Sequence, residues 1–580
     1  MSDTQNAQPL LDAQVPPAEG IARVLEDAGI DAVFGMPGGN TGRIFDALYD
    51  HASTIRTVLV REEARAGVMA EVYGKLTGRP GVAIGQAAFL VHASLGAIEA
   101  KMSSSPMLLL TDLSDNSPHS HHGPYQSGTG EYGSWNAPDV FGGFTKATFV
   151  ANSPAQAVQC TQLAIKHAMA GEPGPVAVLF HSQALRGRIG PDTRPTLYRS
   201  GPYLSVPAPQ AEAASVADAA ARLSGAAHPV VIAGNGVRIS RAYDELEKLA
   251  GTLSAPVATS ASGKGVFDET SDLALGTYGN FGTPLANAVI AQADVVLVVG
   301  SKLAPTDTAF ENPELLDPQR QTLIQVDIEP LNAAWTFPVA QSIVGDARGV
   351  LAQIDTLIRA AGGIPDDVRT ERLAEIARAR MKHGFFDARE MVSDASPLLP
   401  QRVIRVLHEK LPRDAMVLCD AGENRLFMTH YFQTKAAGTF VQPAGVGGMG
   451  YAVPAALAAK LVHPDRAAVA VCGDGGFAIG MNGLMTAVEE NLPIVVVVFR
   501  NGALGWVKHG QGDRTIACDF HDFDHAAIAR AMGCEGFRVD EPAALEAALE
   551  KALSCGRPAV IDIHTSMDET YLKVTSKLAQ

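Results

Sequence analysis

Short apolar runs alternate with longer segments of helical periodicity in three successive sections of the chain. In the first section, the segment EARAGVMAEVYGKLTG lies between apolar runs and has the spacing of a helix that ends at Gly78-Arg79-Pro80. Strands that alternate with helices indicate βαβ units, which build parallel sheets. The pattern therefore predicts an α/β fold of three doubly wound parallel-sheet domains.

The segments between these sections set approximate domain boundaries. We assign residues 1–185 to the first predicted domain, 205–360 to the second and 385–580 to the third. A Pro-, Gly- and Arg-rich passage before the second domain is typical of a linker, and a polar, charged stretch over 362–397 predicts a helix and a connection. In sheets of this kind, ligands bind beyond the carboxyl ends of the strands.

The composition excludes several classes of protein. Hydrophobic residues make up 47% of the chain and charged residues 19%, which is typical of a globular protein. The net charge of -16 argues against a nucleic-acid partner. The six cysteines form no CxxC pair and predict reduced thiols. The N-terminus does not resemble a signal peptide, and no apolar run reaches the roughly 18 residues of a membrane span, so we expect a soluble, cytoplasmic protein.

A carboxylate and an amide follow two neighbouring strands of the third section. Asp474 stands in Gly-Asp-Gly-Gly after the run AAVAVC, and Asn501 follows the run IVVVVFR. Their hard oxygens suit Mg²⁺, which proteins hold with one or two oxygens together with phosphate groups. Gly473, Gly475 and Gly476 would let the backbone approach a diphosphate at the start of the next helix. Alternatively, Gly and Asp serve only the turn and the helix cap.

This spacing resembles the diphosphate motif of thiamine-diphosphate enzymes. The resemblance implies that Asp474, Asn501 and the main-chain carbonyl of Ala503 hold a Mg²⁺ ion. The usual Asn-Asn pair reads Arg500-Asn501 in this chain, which keeps the ligand position and sets a guanidinium beside it. The sequence offers no account of that arginine.

Two further stretches resemble parts of the same cofactor site. In PAGVGGMGYAVPAALAAKL the resemblance implies that Met449 lies between the two rings of the cofactor and that the carbonyl of Gly447 accepts a hydrogen bond from its 4′-amino group. Taken alone, Gly-Gly-Met-Gly is a tight turn before an Ala-rich helix. The stretch DAGENRLF resembles the second phosphate-side loop, which implies that the diphosphate faces Gly422, Glu423 and Asn424.

An acidic pair in the first section, Glu62-Glu63, offers the acid that the family takes from a different domain and usually from another subunit. Glu63 stands eight residues before the acid of Glu71-Val72-Tyr73, which matches the family pattern. The resemblance implies that Glu63 shares a proton with N1′ of the cofactor's aminopyrimidine. The alternative is that both residues form only the acidic first turn of a helix.

Over about residues 18–566 the chain resembles the acetolactate synthase and 2-keto-acid decarboxylase superfamily. The resemblance implies pyrimidine-binding, central and diphosphate-binding domains in that order, in a homodimer or homotetramer with active sites between subunits. It implies decarboxylation of a 2-keto acid such as pyruvate followed by carboligation. A decarboxylase or lyase of the benzoylformate decarboxylase type is the alternative. A non-catalytic member is disfavoured because the cofactor motifs are kept.

The substrate pocket departs from the acetolactate synthase pattern. Where Gly-Pro-Gly-x-Thr-Asn is common, this chain has GQAAFLVHASLGA, which makes Gln86 and His92 candidate catalytic residues. Either Tyr125-Gln126 or Tyr132-Gly133 aligns with the usual Phe-Gln of the next loop.

Two other motifs leave alternatives open. His119, His121 and His122 resemble the paired active-site histidines of pyruvate decarboxylases, but a solvated polar loop or a metal cluster would have the same sequence. The lone Gly-x-Gly of GNGVRIS, at 234–240, leaves FAD binding in the central domain undecided.

Overall fold

The buried apolar runs of the chain form three parallel sheets of six strands each. The computed structural model describes residues 8–115, 125–205 and 208–579. The strand β16 defined below is buried at every position, as expected for a parallel sheet covered by helices on both faces. These sheets confirm the predicted α/β fold.

The first sheet contains β1 (Ala32–Gly35), β2 (Arg56–Leu59), β3 (Gly81–Gln86), β4 (Met107–Asp112), β5 (Ala147–Ala151) and β6 (Pro175–Phe180). Its helices are α1 (Pro17–Asp27), α2 (Gly42–Asp50), α3 (Glu63–Thr77), α4 (Ala87–Leu90), α5 (Ser94–Met102), α6 (Ala137–Phe144), α7 (Pro154–Met169) and α8 (Gly201–Leu204). The strand order is β2-β1-β3-β4-β6-β5. Helix α3 ends at Gly78, whose φ of 69° gives the left-handed cap that the Gly-Arg-Pro signal predicts.

The second sheet contains β7 (Pro229–Ala233), β8 (Val257–Thr259), β9 (Ala274–Thr277), β10 (Val295–Val299), β11 (Thr322–Asp327) and β12 (Gln341–Val344). Its helices are α9 (Ala213–Gly225), α10 (Asn235–Ile239), α11 (Tyr243–Leu253), α12 (Pro284–Ala291), α13 (Ala347–Ala360) and α14 (Asp366–His383). The strand order is β12-β11-β10-β7-β8-β9. Helix α14 is the helix predicted in the polar stretch after the second section.

The third sheet contains β13 (Met416–Cys419), β14 (Phe440–Val441), β15 (Ala468–Gly473), β16 (Ile494–Arg500), β17 (Glu535–Val539) and β18 (Ala559–His564). Its helices are α15 (Pro400–Lys410), α16 (Glu423–Tyr431), α17 (Ala452–Val462), α18 (Asp474–Gly480), α19 (Gly483–Glu489), α20 (Gly505–Gln511), α21 (His525–Ala531) and α22 (Pro542–Ser554). The strand order is β14-β13-β15-β16-β18-β17.

Residue contacts divide the chain into two compact units. One unit consists of Met1–Pro207, Leu457–Val462 and Met485–Glu490, and the other consists of Ala208–Ala456, His463–Leu484 and Asn491–Gln580. The first sheet lies in the first unit, and the second and third sheets lie in the second unit. The three predicted domain boundaries stay predictions. In the described part of the chain, no helix is both long and apolar enough to span a membrane.

A buried ion pair joins the second and third sheets inside the second unit. Nζ of Lys264 lies 3.0 Å from both carboxylate oxygens of Glu269, and both side chains are almost fully buried. Glu269 also accepts a hydrogen bond of 2.7 Å from the backbone N–H of Thr434, between α16 and β14. The carboxylate therefore links the loop after β8 to the third section of the chain.

Candidate functional site

Asp474 and Asn501 meet at the carboxyl ends of two paired strands. Asp474 begins α18 directly after β15, and Asn501 follows β16, which pairs with β15 in parallel. Oδ2 of Asp474 accepts the backbone N–H groups of Asn501 at 3.1 Å and Gly502 at 2.7 Å, and Oδ1 accepts that of Gly475 at 2.9 Å. Burial raises the pKa of the Asp474 carboxyl, and these N–H groups oppose the rise.

The peptide group of Ala503 is turned toward Asn501, at the same edge of the sheet. Ala503 forms an antiparallel bridge with Asp519, and the peptide groups on either side of it make hydrogen bonds of 2.7 Å to residues 518 and 520. In such a pair the N–H and C=O of the central residue point away from the partner strand. The N–H of Ala503 accordingly donates to Oδ1 of Asn501 at 3.2 Å. The carbonyl of Ala503 therefore faces the side of Asn501.

This set of oxygens fits a small, hard cation. A carboxylate, an amide and a carbonyl are donors that Mg²⁺ accepts, with phosphate or water completing the coordination. In the part of the chain that the structure describes, no group of three His, Cys, Asp or Glu side chains could hold a metal ion. A cation at Asp474 would thus depend on amide, carbonyl and external oxygens.

Two of the three glycines around Asp474 allow neighbouring side chains to pack closely against the backbone. A Cβ atom at residue 475 would lie 3.0 Å from Cε of Met449, and one at residue 476 would lie 2.7 Å from Oδ1 of Asp420. At Gly473 the nearest atoms to such a Cβ are 3.8 and 4.0 Å away, which is ordinary van der Waals contact. Of the three predicted glycines, Gly475 and Gly476 are therefore crowded by neighbouring side chains, whereas the surroundings of Gly473 would accommodate a Cβ.

Met449 lies in the turn that the sequence indicates. Gly447 and Gly450 flank it with φ values of 72° and 78°, which glycine adopts without strain. Its methyl group is directed at Gly475, next to Asp474. The structure therefore places Met449 beside Gly475, the residue that follows Asp474, and Gly447 lies two residues before Met449.

Asp420 is a buried carboxylate beside the candidate site that the sequence reasoning missed. It follows β13, is fully buried, and accepts backbone N–H groups of Ala421, Gly450 and Ala452 at 2.8 to 3.0 Å. Burial raises the pKa of Asp420 to about 6, against the effect of these donors. The carboxylate fixes the turn that carries Met449. A signal was available, because Asp420 directly follows an apolar strand and stands two residues before a glycine.

Glu423 begins α16 and lies beside Asn501. Its Oε1 accepts the backbone N–H of Tyr571 at 2.9 Å and lies 2.7 Å from Nδ1 of His509. Its Oε2 is buried without a hydrogen-bond partner in the described residues. A Cβ atom at Gly505 would lie 2.4 Å from this oxygen and 3.0 Å from Nδ2 of Asn501. Burial raises the pKa of the Glu423 carboxyl, and His509 opposes the rise.

Gly422 and Asn424, which the sequence predicts to face a diphosphate, shape the backbone between β13 and α16. Gly422 has a φ of 101°, which sets the start of α16. Nδ2 of Asn424 lies 3.3 Å from the carbonyls of Asp420 and Val471, so its amide joins the ends of β13 and β15. The oxygen of the same amide faces Gly473.

The first unit contains the remaining predicted residues. Glu63 begins α3, is 9% exposed, and has its Cγ near Gly85 of β3. Nε2 of Gln86 donates to Oε1 of Gln126 at 2.6 Å and to Oγ of Ser114 at 3.0 Å. Of the two alignments for this loop, the contact with Gln86 favours Tyr125-Gln126. His92 is exposed in a 3-10 turn and takes no part in this group.

Two further polar residues of this edge were missed by the sequence reasoning. Oδ2 of Asp112, at the end of β4, accepts hydrogen bonds from the backbone N–H of Asn40 at 3.1 Å and from its Nδ2 at 3.0 Å. Burial raises the pKa of the Asp112 carboxyl. With Gln86 they form a polar group at the carboxyl edge of the first sheet.

One of the two motifs that left alternatives open has a partial answer. The glycines of the lone Gly-x-Gly, Gly234 and Gly236, lie against the backbone of Gly300, where a Cβ atom on either would approach to 2.5 Å or less. Their packing explains both glycines and gives no support to FAD binding. His119, His121 and His122 lie outside the described residues.

Models of three protein-family domains match the chain. They are the N-terminal TPP binding domain (residues 17–129), the central domain (residues 216–354) and the C-terminal TPP binding domain (residues 420–563) of thiamine pyrophosphate enzymes, and thiamine pyrophosphate is thiamine diphosphate.

Curated proteins of known name are similar over nearly the whole chain. The acetolactate synthase large subunit of Corynebacterium glutamicum is 30% identical, over 95% of this chain and 87% of its own. The probable 2-ketoarginine decarboxylase of Pseudomonas aeruginosa is 31% identical, over 93% and 91%. The probable acetolactate synthase large subunit of Methanocaldococcus jannaschii is 28% identical, over 94% and 91%. The chain belongs to the family of thiamine pyrophosphate enzymes.

Proposed function

We propose that the protein is an acetolactate synthase-like enzyme, which decarboxylates a 2-keto acid such as pyruvate and joins the product to a second carbonyl compound. The relatives named acetolactate synthase support this reaction class. The observation that carries the proposal is the meeting of Asp474, Asn501 and the Ala503 carbonyl at one edge of the third sheet.

A non-oxidative 2-keto-acid decarboxylase or C–C lyase is the second candidate. The relative named as a 2-ketoarginine decarboxylase favours it. Both reactions begin with the loss of CO₂ from a keto acid. They differ in whether the remainder leaves as an aldehyde or is joined to an acceptor.

The diphosphate-binding section would hold the cofactor and the metal. Asp474, Asn501 and the carbonyl of Ala503 bind Mg²⁺, as the oxygen donor set supports. When bound, thiamine diphosphate supplies the nucleophilic carbon that attacks the keto group and the ring that accepts the electrons of the broken bond. The residues that border the diphosphate are Gly422, Glu423, Asn424, Gly473, Gly475 and Gly476.

The orientation of the cofactor's two rings would depend on Met449 and the carbonyl of Gly447. Met449 is held against Gly475 through the turn that Asp420 fixes, which supports a rigid wedge. Glu63 holds a proton at N1′ of the aminopyrimidine. Since enzymes of this family usually take the acid from another subunit, we propose a homodimer or homotetramer in which each site uses two chains.

The polar edge of the first sheet would meet the substrate. Gln126 offers amide N–H groups that suit a keto oxygen or a carboxylate, and Gln86 orients this amide by donating to its Oε1. His92 is exposed and is a second candidate for contact with the substrate. These roles rest on the pocket positions of the family and on the Gln86–Gln126 contact.

A cofactor titration and a product screen test the proposal. Tryptophan fluorescence with thiamine diphosphate and Mg²⁺ measures cofactor binding, and absence of binding contradicts the proposal. The loaded enzyme is then given pyruvate, benzoylformate or glyoxylate, alone and with acceptor aldehydes. Acetolactate from pyruvate supports the first candidate, and an aldehyde as the only product supports the second.

A further inference from the structure

The side chain of Arg500 binds three carboxylates from three segments of the third section. Arg500 is the last residue of β16, and its side chain is only 5% exposed. Its Nε lies 2.9 Å from Asp562 in β18, Nη1 lies 2.9 Å from Asp522 before α21, and Nη2 lies 2.7 Å from Asp540 after β17. A planar guanidinium can satisfy three acceptors at once, whereas an ammonium group cannot match this geometry.

The guanidinium of Arg500 is thus directed at β17 and β18. The next residue, Asn501, instead contacts Asp474 at the start of α18. Asn501 donates its backbone N–H to Asp474 and accepts the N–H of Ala503 through its side chain. The charge of Arg500 is balanced by its own acidic partners. It therefore adds no uncompensated positive charge beside the predicted metal ligands.

Asp522, one of the three carboxylates that bind Arg500, belongs to a segment that contacts the backbone around Ala503. Residues 518–520 pair with residues 502–504 through two hydrogen bonds of 2.7 Å. Asp522 follows this pairing, so its ion pair with Arg500 holds the far end of the same segment. The ring of Phe520 lies against Gly475, where a Cβ atom would meet it at 3.2 Å. The segment 518–522 is therefore fixed at both ends behind Ala503 and Gly475.

Asp562, a second carboxylate that binds Arg500, connects the guanidinium to α18 through His525. Asp562 is fully buried, and its Oδ2 accepts the backbone N–H of His525 at 3.0 Å. The ring of His525 packs edge-on against Phe477 in α18, with 5.2 Å between ring centres. Asp474 begins the same helix. Arg500 thus contacts groups behind both Asp474 and Ala503.

We propose that Arg500 is a positioning residue for the Mg²⁺ and diphosphate turn, which acts through Asp522 and the segment 518–522. The inference rests on the proposed function and deepens it, because it assigns a role to the residue that replaces the family's usual Asn. The segment fixes the peptide of Ala503, whose carbonyl is one of the three proposed ligands. Loosening it lowers metal affinity without removing a ligand.

The chain offers a matched pair of variants for the test. Asp522 and Asp540 each bind one nitrogen of Arg500 and also contact Arg538, and their side chains are 61% and 49% exposed. Only Asp522 is attached to the segment behind Ala503. If the ion pairs of Arg500 only stabilise the fold, Asp522→Asn and Asp540→Asn should lower metal affinity equally. If Arg500 positions the metal ligands, Asp522→Asn should lower metal affinity more.

The measurement is Mn²⁺ binding to the full-length protein at saturating thiamine diphosphate, followed by electron paramagnetic resonance. Asp522→Asn should weaken Mn²⁺ binding about tenfold, and Asp540→Asn should change it less than twofold, with similar melting temperatures. Arg500→Lys should weaken binding at least as much as Asp522→Asn. Equal dissociation constants for the two aspartate variants would overturn the inference. A wild-type protein that binds neither thiamine diphosphate nor Mn²⁺ would instead contradict the proposed function.

Discussion

The backbone N–H of Asn501 donates to Oδ2 of Asp474 over 3.1 Å, so the protein itself joins the two proposed metal ligands. This contact fixes both residues relative to each other through the parallel pairing of β15 and β16. A preformed pair loses little conformational entropy when a metal binds. The amide oxygen of an Asn could still accept the N–H groups of Asn501 and Gly502, whereas its NH2 group could not accept that of Gly475. The substitution therefore keeps most of the hydrogen bonds of the turn and removes the charge that a metal needs.

We therefore predict that Asp474→Asn keeps the fold and loses the cofactor. Its melting temperature should fall by only a few degrees, because one of the three backbone N–H groups, that of Gly475, loses its acceptor. Its Mg²⁺ affinity should fall at least about tenfold, the smallest loss expected when a direct ligand is weakened. Isothermal titration with Mg²⁺ at saturating thiamine diphosphate measures this loss. Unchanged affinity would show that Asp474 is only a turn residue.

The buried ion pair Lys264–Glu269 should stabilise the fold only while both charges are present, so removing one partner should be strongly destabilising. Lys264→Met leaves Glu269 charged and buried, which should cost about 3–5 kcal/mol in the free energy of unfolding. The exposed pair Arg222–Asp218 has a similar distance, and Arg222→Met should cost less than about 1 kcal/mol.

Chemical denaturation of both variants measures the difference. The double variant Lys264→Met/Glu269→Leu should recover part of the lost stability, because no buried charge is left. Equal losses of unfolding free energy for Lys264→Met and Arg222→Met would contradict this prediction.

Asp420 should make the apo-protein less stable as the pH rises from about 4 to 6. Burial raises the pKa of Asp420 to about 6 from 3.8, so the folded state holds a proton that the unfolded chain releases in this window. Stability is therefore greatest below the lower value and falls as the pH rises through the folded pKa. The shift corresponds to a loss of about 3 kcal/mol.

The variant Asp420→Asn isolates this contribution, since other carboxyl groups titrate in both proteins. Its unfolding free energy should change less between pH 4 and 6 than that of wild type, measured by urea denaturation. At pH 4 it should be less stable than wild type by about 1–3 kcal/mol, because its NH2 group cannot accept a backbone N–H. This difference should close or reverse as the pH rises through 6, because only wild type loses stability through residue 420. Asp218→Asn, at an exposed position, should keep the wild-type slope. Identical slopes for wild type and Asp420→Asn would refute the assignment.

The sequence predicted the parts of the fold and the site that depend on local pattern. Alternating apolar runs specify the three parallel sheets, and a residue such as Asp474 is recognisable because it ends such a run before a glycine. The contact between His509 and Glu423 joins residues far apart in the chain, so no local signal marks it. The partners of Arg500 were equally hidden, because they depend on the order of β16, β17 and β18 in the sheet.

Two adjacent acids at the start of α3 allow a direct test of the proposed proton-sharing residue. Glu63 is almost buried, whereas the side chain of Glu62 is 38% exposed and forms an ion pair with Arg65. Glu63→Gln should reduce turnover at least about a hundredfold, since an amide cannot exchange the proton, while thiamine diphosphate still binds. Glu62→Gln should retain most of the activity and lose only a helix-end contact. Steady-state rates and cofactor titrations of both variants decide the matter, and an active Glu63→Gln enzyme would assign the acid elsewhere.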